Sequence, residues 1–266
     1  MDHIYKYLRW LSMDVVLGAI FFLAYLEKHY QTDLSWNVYL ALASAIWLIY
    51  TTDHLLDVRS LNAPTSDRHL FHKTYYNQLV FVAGLILCLG LVNVYFLEIE
   101  VIRNGAILSA VSVAYLVLVY LIRKLWVKEL VVALVYALGV FLGPWSMIAD
   151  LGQTDVLLLM QLVGIALLNL LIFSFYDRDT DRQDGFNSIV LRLGTNTSKY
   201  VIIVLGLCLG LSCFTLGINQ GVQKLYLLMV CVLMVVYLLP GFFSKSSFYR
   251  TVGDGVFYLP GLFLLL

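Results

Sequence analysis

Apolar residues run along this chain in long blocks separated by short polar stretches. A helix needs ~20 predominantly apolar residues to cross the hydrocarbon core of a bilayer. Eight blocks meet that length closely: roughly 8–26, 36–56, 76–97, 104–122, 126–148, 156–176, 199–218 and 224–240. A ninth, 253–266, is shorter and runs to the last residue. The breaks carry turn-forming residues, such as Asn62-Ala63-Pro64 and Gly221 before Lys224. The pattern predicts an all-α polytopic membrane bundle of nine transmembrane helices forming a single domain over 1–266. The first block is long enough to stay as an anchor and lacks a small-residue cleavage site.

Composition sharpens this expectation. Hydrophobic residues make up 61% of the 266 and charged residues only 13%, against about a quarter charged in soluble domains. Lipid must therefore solvate much of the surface. Basic and acidic residues balance at 17 each, which gives no reason to expect nucleic acid, and no obligate protein partner is evident. Cys88, Cys208, Cys213 and Cys231 all fall in apolar runs, which argues against disulfides and against a zinc site. With nine alternating spans and a cytoplasmic N-terminus, only Lys28, Arg103 and Lys224 of the 17 basic residues face outward. That asymmetry obeys the positive-inside rule, and it predicts a multi-pass protein of the plasma (inner) membrane.

The acids stand out against this background. Asp53 and Asp57 end the second span, and Asp177 and Asp181 end the sixth, both on the cytoplasmic face. Each pair is spaced i, i+4, so its carboxylates share one helix face. Like charges there repel, and the helix C-terminus disfavours anions further. A cation between them relieves both penalties. Mg²⁺ suits the position, because it prefers oxygen ligands and joins one or two carboxylates to a substrate phosphate. The alternative is a set of solvated acids beside Arg59, Arg178 and Arg182. Two such spans, each followed by an Arg-bearing loop, also suggest two four-helix pseudo-repeats plus one added helix.

The stretch Asp177-Arg178-Asp179-Thr180-Asp181-Arg182-Gln183-Asp184-Gly185-Phe186-Asn187-Ser188, running on to Gly194, resembles the second acidic motif of the UbiA family of intramembrane prenyltransferases. Asp53 to Asp57 resembles the latter part of that family's first motif, NDxxDxxxD. Ile49 and Tyr50 stand where that motif begins with Asn and Asp. Asp67-Arg68 lies where members carry Asn-Arg-Pro, and Met13-Asp14-Val15-Val16-Leu17-Gly18-Ala19 resembles the family's first helix. The resemblance implies Mg²⁺-dependent transfer of a prenyl group from a polyprenyl diphosphate to a lipophilic acceptor within the membrane. It makes Asp53, Asp57, Asp177 and Asp181 the metal ligands and catalytic acids.

Charge developing on the leaving diphosphate needs cations, and Arg68, Lys128 and Arg182 are the candidates at that face. An allylic cation needs a dry cavity lined by aromatic faces, for which Tyr50, Trp47 and Tyr176 lie nearest the acids. Asp14, inside the first span, is a candidate for acceptor binding or a partner of a neighbouring helix. His69-x-x-His72 has metal-like spacing without a third ligand nearby. Asp254 reads as a helix cap, and Gly143-Pro144 as a kink in the fifth span. Two other functions fit the same acids: an intramembrane terpene cyclase, and a non-catalytic or carrier membrane protein. Carrier sites lie near the midplane on broken helices, whereas these acids lie at one boundary.

Overall fold

The computed structural model describes residues 3–59, 66–121, 128–185, 188–215, 217 and 220–265. All regular structure among them is helical: α1 (His3–Trp10), α2 (Met13–Tyr30), α3 (Trp36–Arg59), α4 (Asp67–Thr74), α5 (Tyr76–Val94), α6 (Ile99–Leu121), α7 (Lys128–Ser146), α8 (Gln153–Asp184), α9 (Ile189–Leu193), α10 (Thr195–Thr215), α11 (Gly221–Leu238), α12 (Pro240–Phe243), α13 (Phe248–Gly255) and α14 (Leu259–Phe263). Arg123, Lys124, Asn187 and the Asn62-Ala63-Pro64 break lie outside the described residues.

Six of these helices, α5 to α8, α10 and α11, are long and apolar enough to cross a membrane, and the protein is an integral membrane protein. α2 and α3 match two further expected spans, but Asp14, Glu27, Asp53 and Asp57 interrupt their apolar character. The expected first span begins later than the pattern implied. The chain turns at Ser12, whose φ of 56° is left-handed, and α1 is a separate helix. The expected ninth span is not one α-helix either. It consists of the end of α13, a 3₁₀ turn at Val256–Tyr258, and α14, whose second residue is Pro260. Pro144 sits in the last turn of α7, where it ends the helix.

Burial orders the helices into a centre and a rim. α8 is central, with Leu158, Leu162, Ile165, Leu168 and Ile172 almost wholly enclosed. α5 buries only Leu79 and turns its remaining apolar side chains outward, as a lipid-facing helix does. Apolar contact alone does not fix helix positions where lipid is equally apolar, so buried polar pairs contribute. Gln161 and Gln223 exchange two amide hydrogen bonds of 3.0 Å, and Gln161 Nε2 also donates to Ser212 Oγ at 2.8 Å. These bonds tie α8 to α10 and α11.

The C-terminal elements wedge between α2 and α8 because two glycines let them approach. A Cβ at Gly18 would stand 2.9 Å from Phe257 Cβ. One at Gly253 would stand 2.5 Å from both Asn169 Oδ1 and Phe173 Cε1. Overpacking of this kind costs ~1–3 kcal/mol. Gly253→Ala should therefore lower the thermal unfolding temperature in detergent. Gly84→Ala on α5, where nothing lies within 4 Å, should leave it unchanged or raise it.

α4 packs on α3 and reaches the end of α8 through His69. Ser66 caps it by accepting from the His69 backbone N–H, and His72 Nδ1 donates to the Arg68 carbonyl at 2.9 Å. His69 Nδ1 lies 3.5 Å from Asp184 Oδ2. Burial, with Arg68 beside it, pushes the His69 imidazole down to about 4 despite Asp184. The undocked histidine titrates near 6.5, so it takes up a proton that the docked one refuses. Docking of α4 is fully stable above about pH 6.5 and weakens as pH falls toward 4. Hydrogen exchange in 67–74 should speed up across that window while α8 stays protected. Unchanged exchange would mean that His69 is not buried in neutral form.

Candidate functional site

Both acidic motifs open onto one cavity of ≈ 270 Å³. Asp53 and Asp57 reach it from the last turns of α3, and Asp177 and Asp181 from the extended end of α8. α8 runs to Asp184, well past the expected end at 176, and stops at Gly185, whose φ of 75° supplies the left-handed cap. That extra length keeps Asp177 and Asp181 helical and on one face.

Side-chain cations meet three of the four acids. Lys128, first residue of α7, sets its Nζ 2.8 Å from Asp53 Oδ2 and 3.3 Å from Asp57 Oδ2. The i, i+4 repulsion that pointed to a metal is thus relieved here by an ammonium from another helix. Asp177 is ion-paired with Arg250 of α13 and accepts a hydrogen bond from the Tyr249 hydroxyl. Tyr249 in turn stacks on Tyr176 at 4.3 Å, while the Arg250 guanidinium lies 5.1 Å from the Phe173 ring centre. Beside Lys128, Glu129 Oε1 accepts from Ser174 Oγ at 2.9 Å and from the Ile189 backbone N–H at 3.1 Å. One buried carboxylate therefore locks α7 to α8 and to the start of α9, holding the second motif in place.

Several candidates sit where the sequence suggested. Asp14, Tyr50, Arg68 and Lys128 all line the cavity. So does Ile49, at the position where the first motif would begin. Three others do not. Arg182 is exposed and absent from the wall, because the residue after Asp181 points about 100° away around the helix. Tyr176 gives its hydroxyl to the Val236 carbonyl at 2.7 Å and meets the site only through Tyr249. Trp47 faces a separate apolar groove between α2, α3 and α5. Asp254 is not a cap. It lies inside α13 and projects into the cavity.

His69 lines the cavity and His72 packs its ring 4.9 Å from His54, but the two do not converge on a common ion. Among the described residues, Asp53, His54 and Asp57 are the group whose ligand atoms come within 4.8 Å of one another. Asp53 Oδ1 is buried and has no hydrogen-bond partner. The two carboxylates of this group suit a hard divalent cation, while Asp177 and Asp181 lie outside it. The sequence reading missed Arg250, Tyr249, Glu129 and Arg9. Arg250-x-x-x-Asp254 carried a usable signal, since it pairs a cation and an acid at i, i+4 next to the last apolar block.

The same arrangement of helices occurs in solved structures. A UbiA homologue from Archaeoglobus fulgidus bound to GPP and Mg²⁺ superposes with a TM-score of 0.71 at 12% identity, covering 98% of this chain and 100% of that one. The apo UbiA homologue from Aeropyrum pernix K1 gives 0.68 at 13% identity, over 96% and 98%. A digeranylgeranylglyceryl phosphate synthase structure gives 0.54 at 15% identity, over 100% and 95%. At these identities the likeness shows the fold alone. No curated protein matches the sequence. The model of the UbiA prenyltransferase family matches residues 15–247, nearly the whole chain and both acidic motifs, and the chain therefore belongs to that family.

Proposed function

We propose that this protein transfers a prenyl group from a polyprenyl diphosphate to a lipophilic acceptor, with Mg²⁺ held by Asp53, Asp57, Asp177 and Asp181. The observation that carries this reading is the meeting of both acidic motifs in one cavity with Lys128, Arg68 and Arg250 around them. Similar proteins support the donor class, since Archaeoglobus fulgidus UbiA homologues bind GPP or DMAPP together with Mg²⁺.

The orphaned Asp53 Oδ1 and the clustered carboxylates fit such an ion. When bound, Mg²⁺ offsets the charge that develops on the diphosphate as the allylic carbon–oxygen bond breaks. With those acids neutralised by a bound ion, the Lys128 ammonium would be available to the diphosphate. Arg68, on the docked α4, also lines the cavity. Tyr50, Tyr115, Phe173 and Phe257 line the interior, exclude water and present ring faces to a developing carbocation. Crossing of the bilayer by α2, α3 and the α13–α14 path would complete nine spans in two four-helix halves plus one. The N-terminus then faces the cytoplasm, in the plasma membrane.

Purified protein incubated with labelled prenyl diphosphates of several lengths and a membrane lipid extract should form a prenylated lipid only with Mg²⁺. Lys128→Ala leaves two partly buried acids without their cation, so it should destabilise the metal-free protein. Added Mg²⁺ should then restore more stability to the variant than it adds to the wild type. Diphosphate release without any acceptor would point to cyclisation instead. Absence of both release and transfer at every donor length would overturn the reading.

A further inference from the structure

The cavity has a second polar tier below the acidic motifs. Tyr136 lies eight residues beyond Lys128 on α7, and Asn169 eight residues before Asp177 on α8. Each is therefore ~12 Å deeper along its helix. Asp254 lies one turn beyond Arg250 on α13, and Asp14 occupies the first turn of α2. All four side chains line the cavity. Asp14 is 5% exposed, and Asp14 and Asp254 are close enough to repel each other. Arg9 and Arg250 are the cations that act on Asp254, with Tyr50 and Tyr136 also facing it and Asn169 as a hydrogen-bond partner. Asp14 faces Arg9, Arg68 and Tyr50. The Tyr136 hydroxyl is buried, belongs to a residue only 7% exposed, and has no hydrogen-bond partner.

A buried hydroxyl without a partner costs free energy unless something else fills its hydrogen bond. A phenol that can donate, opposite carboxylates that can accept, matches a ligand group that does both. An anionic headgroup would meet two acids. An ammonium could not accept from Tyr136 and would lie beside Arg9. A hydroxyl does both.

We infer that Asp14, Asp254 and Tyr136 form the acceptor subsite, which takes the hydroxyl group of a lipophilic molecule and removes its proton. The inference rests on the transferase reading and names the acceptor chemistry of that same cavity. Tyr136 donates to the hydroxyl oxygen and aims its lone pair at the allylic carbon. The carbon–oxygen bond of the donor breaks with its electron pair leaving on diphosphate, and a new ether bond forms from the hydroxyl oxygen. The hydroxyl proton passes to a carboxylate of the Asp14–Asp254 pair and then leaves through the cavity mouth.

The test compares matched probes in the full-length protein: 4-nonylphenol against its methyl ether, and 1-O-hexadecylglycerol against its dimethyl ether. A site built to hydrogen-bond a hydroxyl rejects the analogue lacking it, so at least one pair should favour the hydroxyl about tenfold. Asp254→Asn and Tyr136→Phe should each bring that ratio close to one. Tyr136→Phe removes a single oxygen and serves if Asp254→Asn fails to fold. Affinity for a prenyl thiolodiphosphate is measured on the same samples and should not change. A ratio near one for both pairs in the wild type, or a ratio unmoved in Tyr136→Phe, overturns the subsite. Loss of thiolodiphosphate binding in the wild type would instead count against the donor reading, while the probe ratios still report on the subsite.

Discussion

The structure depends on the neutralisation of carboxylates placed at the end of membrane helices. Removing an acid from water is expensive unless a cation and hydrogen bonds replace the water. Asp53 and Asp57 share the Lys128 ammonium, and Asp177 takes the Arg250 guanidinium with the Tyr249 hydroxyl. Each cation comes from a different helix than the acids it serves. The charges therefore set which helices meet at the cavity mouth, a choice that apolar side chains surrounded by lipid cannot make.

Close backbone approach builds the interior below that mouth. Gly18 admits Phe257 against α2, and Gly253 admits α13 against Asn169 and Phe173 of α8. With those contacts made, Arg250 reaches the outer tier and Asp254 the inner one from a single short helix. Glu129 adds the remaining constraint, holding α7, α8 and the start of α9 together through one carboxylate oxygen. The site is thus assembled on rigid helix ends, and α4 with Arg68 is the element whose docking depends on a neutral histidine.

The sequence made the bundle legible because lipid requires long apolar blocks, and six of the expected spans are long apolar helices. Both i, i+4 acid pairs were legible too, since their spacing fixes a shared face, and Asp14, Tyr50, Arg68 and Lys128 do line the cavity. What could not be read is what each neighbouring residue turns toward. Arg182, next to Asp181, faces away, and Trp47, near Tyr50, faces a different groove. Spacing gives each residue's angle relative to the acids, but not which neighbouring helix or groove lies at that angle. Arg250 was missed, and Asp254 was read as a cap, for another reason. They sit beside or inside a weak final apolar block, and their partners are far away in the chain. The ninth span is not a single α-helix because Gly253 serves close approach and a 3₁₀ turn at Val256–Tyr258 precedes Pro260.

The most direct measurement of the central claim is Mn²⁺ binding followed by electron paramagnetic resonance in the presence of a prenyl thiolodiphosphate. If both acidic motifs hold metal around one diphosphate, Asp57→Asn on α3 and Asp181→Asn on α8 should each weaken the bound-Mn²⁺ signal. Each should do so in protein that remains folded. Wild-type Mn²⁺ binding retained by either variant would contradict a site shared between the two motifs.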